Sequence, residues 1–419
     1  MAENSENQQS EKFLTTPLLI IFFTVFIDMI GFGIVIPILP FYAAKEPFGA
    51  NPFEIGLLTA IYSLMQFLFS PILGRMSDRH GRRPILFLSL LGSVLGYAVL
   101  GLANTLLLVF VGRIISGVTG ANISAAQAYV ADITTKENRA RGMGLFGAAF
   151  GLGFILGPAL AGVLSRYGVH VPFFFAAGLS LLSAAGVFFL LPESIRKGHQ
   201  APESGRLAAL FESFRDRAFS LVNIQYFLLI TAFSIMTYAF VLYAAYRFEY
   251  DASQIGYLFA FVGLVSVVGQ GVLFSRFVRR FGETRVAATG SLLMVISLFA
   301  IPIVGPLTGG LAGLLGVCIL LSFGNALASP AVTSLISKIS HEHKQGSSLG
   351  IMQSGASLAR ALGPTIGGIL LNNAVNKVDD ASIYRTFWTA SAIMFIAFLI
   401  AAYCVKVIIV DRNVIERIN

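Results

Sequence analysis

Of the 21 acidic residues in this 419-residue chain, one, Asp28, falls well inside an apolar run, and Asp132 lies near the end of another. A charged carboxylate at the centre of a membrane helix costs roughly 2.5–3.5 kcal/mol to insert. Desolvation favours the neutral acid and a neighbouring cation favours the carboxylate. A group balanced between the two can load a proton on one side of a barrier and release it on the other. Two basic residues are equally out of place in apolar surroundings, Arg113 and Arg360. Arg360 needs a partner, a water-filled cavity or a lipid phosphate, and the second half of the chain holds no acid at comparable depth. An isolated cation there would attract an anionic group on a substrate. Gln66, Asn122, Gln127, Gln225, Gln270, Asn325 and Gln353 also lie in apolar runs. Such amides serve either as interhelical glue, worth about 1 kcal/mol, or as the lining of a central cavity. Aromatics such as Phe227, Phe233, Tyr238, Tyr243 and Phe261 would supply an adaptable apolar wall.

A second kind of chemistry lies in Gly74-Arg-Met-Ser-Asp78-Arg79-His80-Gly81-Arg82-Arg83-Pro84. Gly81 permits a tight turn. Arg82 and Arg83 present planar forks to carboxylates or lipid phosphates. Asp78 ends an apolar run and can accept from an adjacent helix N-terminus or an arginine. A contact of this kind that forms on closure and breaks on opening would act as a gate latch. Enzyme chemistry finds no foothold: there is no HExxH, no nucleophile elbow, no paired intramembrane aspartates and no Walker A loop. No metal-ligand spacing and no cofactor motif occur. Cys318 and Cys404 sit in apolar runs, where single thiols behave as small hydrophobes.

The elements that position these residues follow from composition. The chain is 56% hydrophobic and 12% charged, with a mean hydropathy of +0.79. Soluble domains carry about 25% charged residues, so cytosolic enzymes, disordered proteins and secreted disulfide modules are excluded. A span needs roughly 20 apolar residues. Apolar runs fall near 18–42, 55–73, 84–103, 106–131, 142–164, 172–191, 219–246, 255–275, 286–304, 309–337, 346–371 and 386–409. Lipid leaves no partner for unpaired backbone groups, and the runs lack the alternation of a barrel strand. The expectation is an all-α membrane protein with twelve transmembrane helices.

With the N-terminus inside, 22 of the 29 basic residues fall on the inner side and five on the outer. That bias predicts cytoplasmic termini. The net charge of +8 then reflects topology and contact with anionic lipid, and not nucleic acid. Residues 1–16 are a polar tail without the basic region and cleavage site of a signal peptide. Residues 17–191 form a first six-helix bundle and 219–409 a second, followed by a tail at 410–419. The break at 192–218 turns amphipathic at 207–214, which predicts a short helix on the inner surface. The halves echo each other. Ile55-Gly56-Leu57 is matched by Ile255-Gly256-Tyr257, and the Gly157-Pro158 to Gly162 segment by Gly363-Pro364 to Gly368. A duplicated bundle around a midplane site is the architecture of alternating-access carriers. Gly147, Gly151, Gly153, Gly157 and Gly162 would let one helix approach its neighbour closely, loosened at Pro158.

With these residues in view, the sequence resembles the major facilitator superfamily, whose loop signature is G-x-x-x-D-R-x-G-R-R. Asp28 within Phe26 to Pro40 resembles the first-span motif of its twelve-helix drug/proton antiporters. Arg113-Ile-Ile-Ser-Gly117-Val-Thr-Gly120 resembles their fourth-span motif, and Gly147 to Gly162 their fifth-span motif. The N-terminal half is similar to tetracycline exporters through Tyr62-Ser-Leu-Met-Gln66 and Phe150-Gly-Leu-Gly-Phe. The resemblance implies two pseudo-symmetric six-helix bundles. It also places the fourth helix beside the first, which makes Arg113 the candidate cation for Asp28, either in proton coupling or as a static packing pair. The departures are specific. Gly96 and Met294 stand where tetracycline exporters carry buried acids, Ser266 stands near their eighth-span histidine, and Gln270 keeps their glutamine.

The implied function is a proton-coupled exporter of amphipathic or lipophilic drugs. A lipid or lysolipid flippase, or a metabolite uniporter or symporter, is the alternative that Arg360 and the missing acids allow. The expected partners are a small-molecule substrate, protons and membrane lipids. The chain is expected to work as a monomer in a bacterial inner membrane.

Overall fold

The computed structural model describes residues 15–135, 138–194, 216–339 and 345–418. The helix expected at 207–214 and residues 1–14 of the N-terminal tail lie outside them. The described residues fold into twelve helical rods: α1 (Thr16–Ala44), α2 (Pro52–His80), α3 (Arg82–Leu102), α4 (Leu106–Ile133), α5 (Arg139–Leu164) and α6 (Val171–Leu190). The second set is α7 (Arg217–Phe248), α8 (Ala252–Phe281), α9 (Glu283–Ala300), α10 (Gly310–Ile339), α11 (Gln345–Leu371) and α12 (Asp380–Ile418). No strand occurs among these residues. The helix of α12 continues through the segment read as a tail, which holds no glycine or proline to stop it.

Eleven of the rods are long and apolar enough to span a bilayer. The exception is α11, whose serines, glycines and Arg360 lower its hydropathy. Its neighbours explain this, because α11 packs between α2 and α7 and presents less surface to lipid. Two rods are interrupted. A single 3₁₀ turn, Gly120–Asn122, breaks α4, and a π-turn, Gly269–Phe274, breaks α8.

The duplication is visible at the helix starts. Asn51 and Glu54 form a reciprocal capping box at α2, with bonds of 2.9 and 3.0 Å. Asp251 and Gln254 do the same at α8, with bonds of 2.9 and 2.8 Å. Each box satisfies two backbone donors that the first helical turn leaves unpaired.

Both described chain ends lie on one face, since an even number of rods separates them. The apolar core divides the two faces unequally. On the far face a single cluster joins the bundles, with Ile38, Leu58 and Tyr42 of the first beside Tyr243, Ile255 and Phe387 of the second. On the termini face there are two separate clusters. One, around Leu86, Tyr129 and Val187, belongs to the first bundle; the other, around Val222, Ala331 and Ala356, belongs to the second.

Glycines report the same asymmetry. A carbon added at Gly56 of α2 would lie 2.5 Å from the Pro364 carbonyl oxygen and 3.1 Å from the Gly368 Cα of α11. One added at Gly256 of α8 would lie 2.6 Å from the Pro158 oxygen and 2.7 Å from the Gly162 Cα of α5. Toward the termini face, Gly144, Gly147, Gly151, Gly271, Gly350 and Gly355 have nothing within 4 Å of such a carbon. The bundles are therefore shut against each other on the far face and apart on the termini face.

Candidate functional site

The site in the first bundle begins at the break in α4. The 3₁₀ turn places Asn122 opposite α1, and its Nδ2 donates to Asp28 Oδ2 at 2.9 Å. Gln66 of α2 donates to the Gly120 carbonyl in the same turn at 2.9 Å. Asp28, Asn122, Tyr62, Ser93, Tyr97 and Ser116 line a cavity of about 10 Å³, which is room for about one water. The Ser116 hydroxyl there has no hydrogen-bond partner among the described residues, so the cavity has polar capacity to hold a water against Asp28.

Arg113 takes no part in that bond. Its Nε donates to the Leu58 carbonyl at 3.0 Å, and its guanidinium lies 4.6 Å from the centre of the Tyr62 ring. The expected cation of Asp28 is thus held against α2, and an amide takes its place. Sequence reasoning missed Tyr62 and Tyr97 as parts of this site. The available signal was a phenol in mid-span, which usually finds a polar partner when buried. The Tyr62 hydroxyl lies within electrostatic reach of Asp28, Arg113 and Arg360 at once.

The places of the acids found in tetracycline exporters are closed by packing. A carbon added at Gly96 of α3 would lie 3.0 Å from the Ser116 backbone nitrogen and 3.2 Å from the Gly112 carbonyl of α4. Met294 of α9 is fully buried against Gly324 of α10. A carboxylate at Gly96 would have to part α3 from α4, and one at Met294 would have room but would be buried in apolar packing.

Other polar residues scatter. Gln270 sits in the π-turn and lines a cleft of about 630 Å³ with Ser329, Thr333, Ser334 and Lys338, on the termini side of the second bundle. Gln225 is fully buried with both amide atoms unpaired among the described residues. Gln127, Asn325 and Gln353 are half-buried. Arg360 is half-buried too, and one Nη donates to Ser357 Oγ of its own helix at 2.9 Å.

The glycine loop joins four helices of the first bundle, α2, α3, α4 and α6. Gly81 turns with φ of 103°, which L-residues rarely adopt. Arg82 pairs with Asp78 at 2.5 Å and with Asp132, at the end of α4, at 3.1 Å. Glu193, just after α6, accepts from the backbone N–H groups of Arg82 and Arg83 at 2.8 and 3.1 Å, and so caps α3. Arg83 donates to the Phe188 carbonyl, Gly74 passes Ser124 in ordinary contact, and Arg79 is exposed. All these contacts stay within one bundle, as the open termini face requires. The second bundle repeats the link with the signs exchanged: Glu283 at the start of α9 pairs with Lys338 at the end of α10.

The fifth-span glycines divide between two partners. Gly153 and Gly157 press α5 onto α1 at Ile30 and Gly33, whereas Pro158 and Gly162 press it onto α8 across the bundle boundary. Outside that crossing, Arg166 donates to Ser253 Oγ at 3.1 Å and stands 5.5 Å from the centre of the Tyr257 ring.

The family model described as the Major Facilitator Superfamily matches residues 21–364 and 224–412. The class C tetracycline resistance protein of Escherichia coli is 33% identical, over 91% of this chain and 95% of that protein. Multidrug resistance protein 2 of Bacillus subtilis is 30% identical, over 91% and 93%. Among solved structures, the human organic anion transporter MFSD10 (TETRAN) superposes with a TM-score of 0.70 at 25% identity, over 92% of this chain and 99% of that one. Paired six-helix bundles, the glycine loop and these matches agree: the chain is a membrane transporter, not an enzyme, and it belongs to the major facilitator superfamily.

Proposed function

We propose that the chain is a proton-coupled antiporter that exports amphipathic or lipophilic drugs by alternating access, with the termini face toward the cytoplasm of a bacterium. The observation that carries this reading is Asp28. It is the acid well inside a span, held by Asn122 at a break in α4 and beside a cavity sized for one water. A carboxyl group in that position exchanges a proton with water on whichever side is open. The far-face closure and the open termini face fit a state that loads substrate from the cytoplasm. The likeness to tetracycline and multidrug resistance proteins supports export as the direction.

The test is drug-stimulated proton flux in proteoliposomes, with tetracycline as the drug. Asp28→Asn is expected to abolish flux while leaving a folded protein that still binds tetracycline. Undiminished tetracycline accumulation under a pH gradient in Asp28→Asn would move coupling to another group.

A further inference from the structure

We propose that Arg360 anchors the transported molecule, and that this molecule is an amphipathic organic compound bearing a planar anionic group of the carboxylate class. The inference deepens the exporter reading above and rests on it.

The two arginines inside the spans are in opposite situations. Arg113 is 3% exposed, with its Nε bonded to a backbone carbonyl of α2 and its guanidinium 4.6 Å from the centre of the Tyr62 ring; both contacts hold α4 to α2. Arg360 is half-buried and, among the described residues, makes one hydrogen bond, to Ser357 of its own helix, and none to another helix. A guanidinium has five N–H donors, so four are unused. None of the ion pairs among the described residues includes it. Between residues 216 and 405 the described acids are Asp216, Glu249, Asp251, Glu283, Asp379 and Asp380, all at or beyond helix ends, and cannot neutralise it.

Its place in the fold assigns the missing partner to the open space between the bundles. Arg360 lies four residues, about 6 Å, from Pro364 toward the termini face. Tyr62 lies six residues, about 9 Å, from Gly56 in the same sense. Since Gly56 and Pro364 form the far-face closure, both side chains sit directly beneath it. The neighbours in electrostatic reach of Arg360 are Tyr62 of one bundle and Tyr226 of the other. A side chain so flanked stands between the bundles and not against lipid. It is 15 residues from the start of α11 and 11 from its end, so roughly 22 and 16 Å from the two helix termini, beyond the reach of headgroup phosphates. On the same turn of α7 as Tyr226, Gln225 keeps both amide atoms unpaired.

A guanidinium fork matches a carboxylate in geometry and charge, with two parallel N–H···O bonds. A molecule entering from the termini side would meet that fork at the roof of the cavity, with phenol rings beside it for its apolar part.

Equilibrium binding to the purified full-length chain in detergent micelles tests this with two probes of one skeleton: dansyl-phenylalanine, a carboxylate, and its neutral amide. Dansyl emission reads the binding. The acid is expected to bind at least tenfold tighter than the amide. Arg360→Gln is expected to bring the acid down to the affinity of the amide without changing the latter, and Arg360→Lys to keep part of the preference. Unchanged unfolding midpoints establish that the variants are folded; if Arg360→Gln does not fold, the wild-type ratio and Arg360→Lys decide. Equal affinity for both probes, no binding of the acid, or a preference retained in Arg360→Gln overturns the assignment. Tetracycline-driven proton flux in the wild type reads the exporter function separately, so its failure is distinguishable from loss of the anion preference.

Discussion

Keeping the charge at Arg113 while removing its shape isolates what that residue contributes. Arg113→Lys retains a cation but loses the planar stack on Tyr62 and the Nε bond to Leu58. The Nε bond from a charged donor is worth about 1.5–3 kcal/mol. A lower unfolding midpoint in micelles is expected, and an unchanged one would show that this bond contributes nothing. Glu193→Ala strips the cap from two backbone N–H groups at the start of α3 and is expected to cost about 1 kcal/mol, read the same way. Asp28 was legible as the unusual acid because a carboxylate in hydrocarbon needs a reason. Its partner was legible in principle. Arg113 and Asn122 are nine residues apart, which at 3.6 residues per turn sets them on opposite faces of α4. One face meets α1 and the other meets α2, so a single side chain of α1 does not meet both.

At the level of helices, the closed face depends on two crossings, α2 with α11 and α5 with α8. A large side chain at Gly56 or Gly256 has no room in either. Gly56→Trp and Gly256→Trp are expected to shift the population toward a form open on the far face. Spin labels on the far-face ends of α2 and α11 should then move apart by several ångströms, and unchanged distances would show that the closure tolerates the bulk. Gly151→Leu is the converse case, since nothing lies within 4 Å of it here. Its unfolding midpoint should hold while transport slows, because in the alternating-access cycle proposed above the opposite state would bring that surface together. The repeats in the sequence announced a duplicated bundle. They could not announce that each copy's glycine segment meets the other copy's partner helix, since a repeat states likeness and carries no information on contact across a boundary.

For the whole molecule, the open termini face makes the 630 Å³ cleft reachable from that side. Ser334→Cys is expected to react with a membrane-impermeant maleimide applied to the termini face. Cys318 and Cys404 are both buried and should give no background. Failure of Ser334→Cys to react would mean that the cleft is shut in the membrane. Twelve apolar runs were enough to predict the helix count and the all-helical class, because hydrocarbon imposes one solution on the backbone. Which face is open was not legible, since apolar runs specify helices and carry no information on how two bundles tilt against each other.

The π-turn of α8 records how the two halves diverged. Gly56 precedes Gly81 by 25 residues, and both belong to the first copy; in the second copy Gly256 precedes Gly282 by 26. Gly81 and Gly282 end their helices in the same positive-φ turn, at 103° and 79°, so the two rods reach the same landmark with one residue of difference. A π-turn is the form a helix takes when it absorbs a single inserted residue without changing its ends. The extra residue falls where Gln270 meets the cleft. The one-residue difference thus offsets the pocket lining of the second half from its counterpart in the first. Deleting Gly271 should return α8 to an unbroken α-helix and restore the register of its twin.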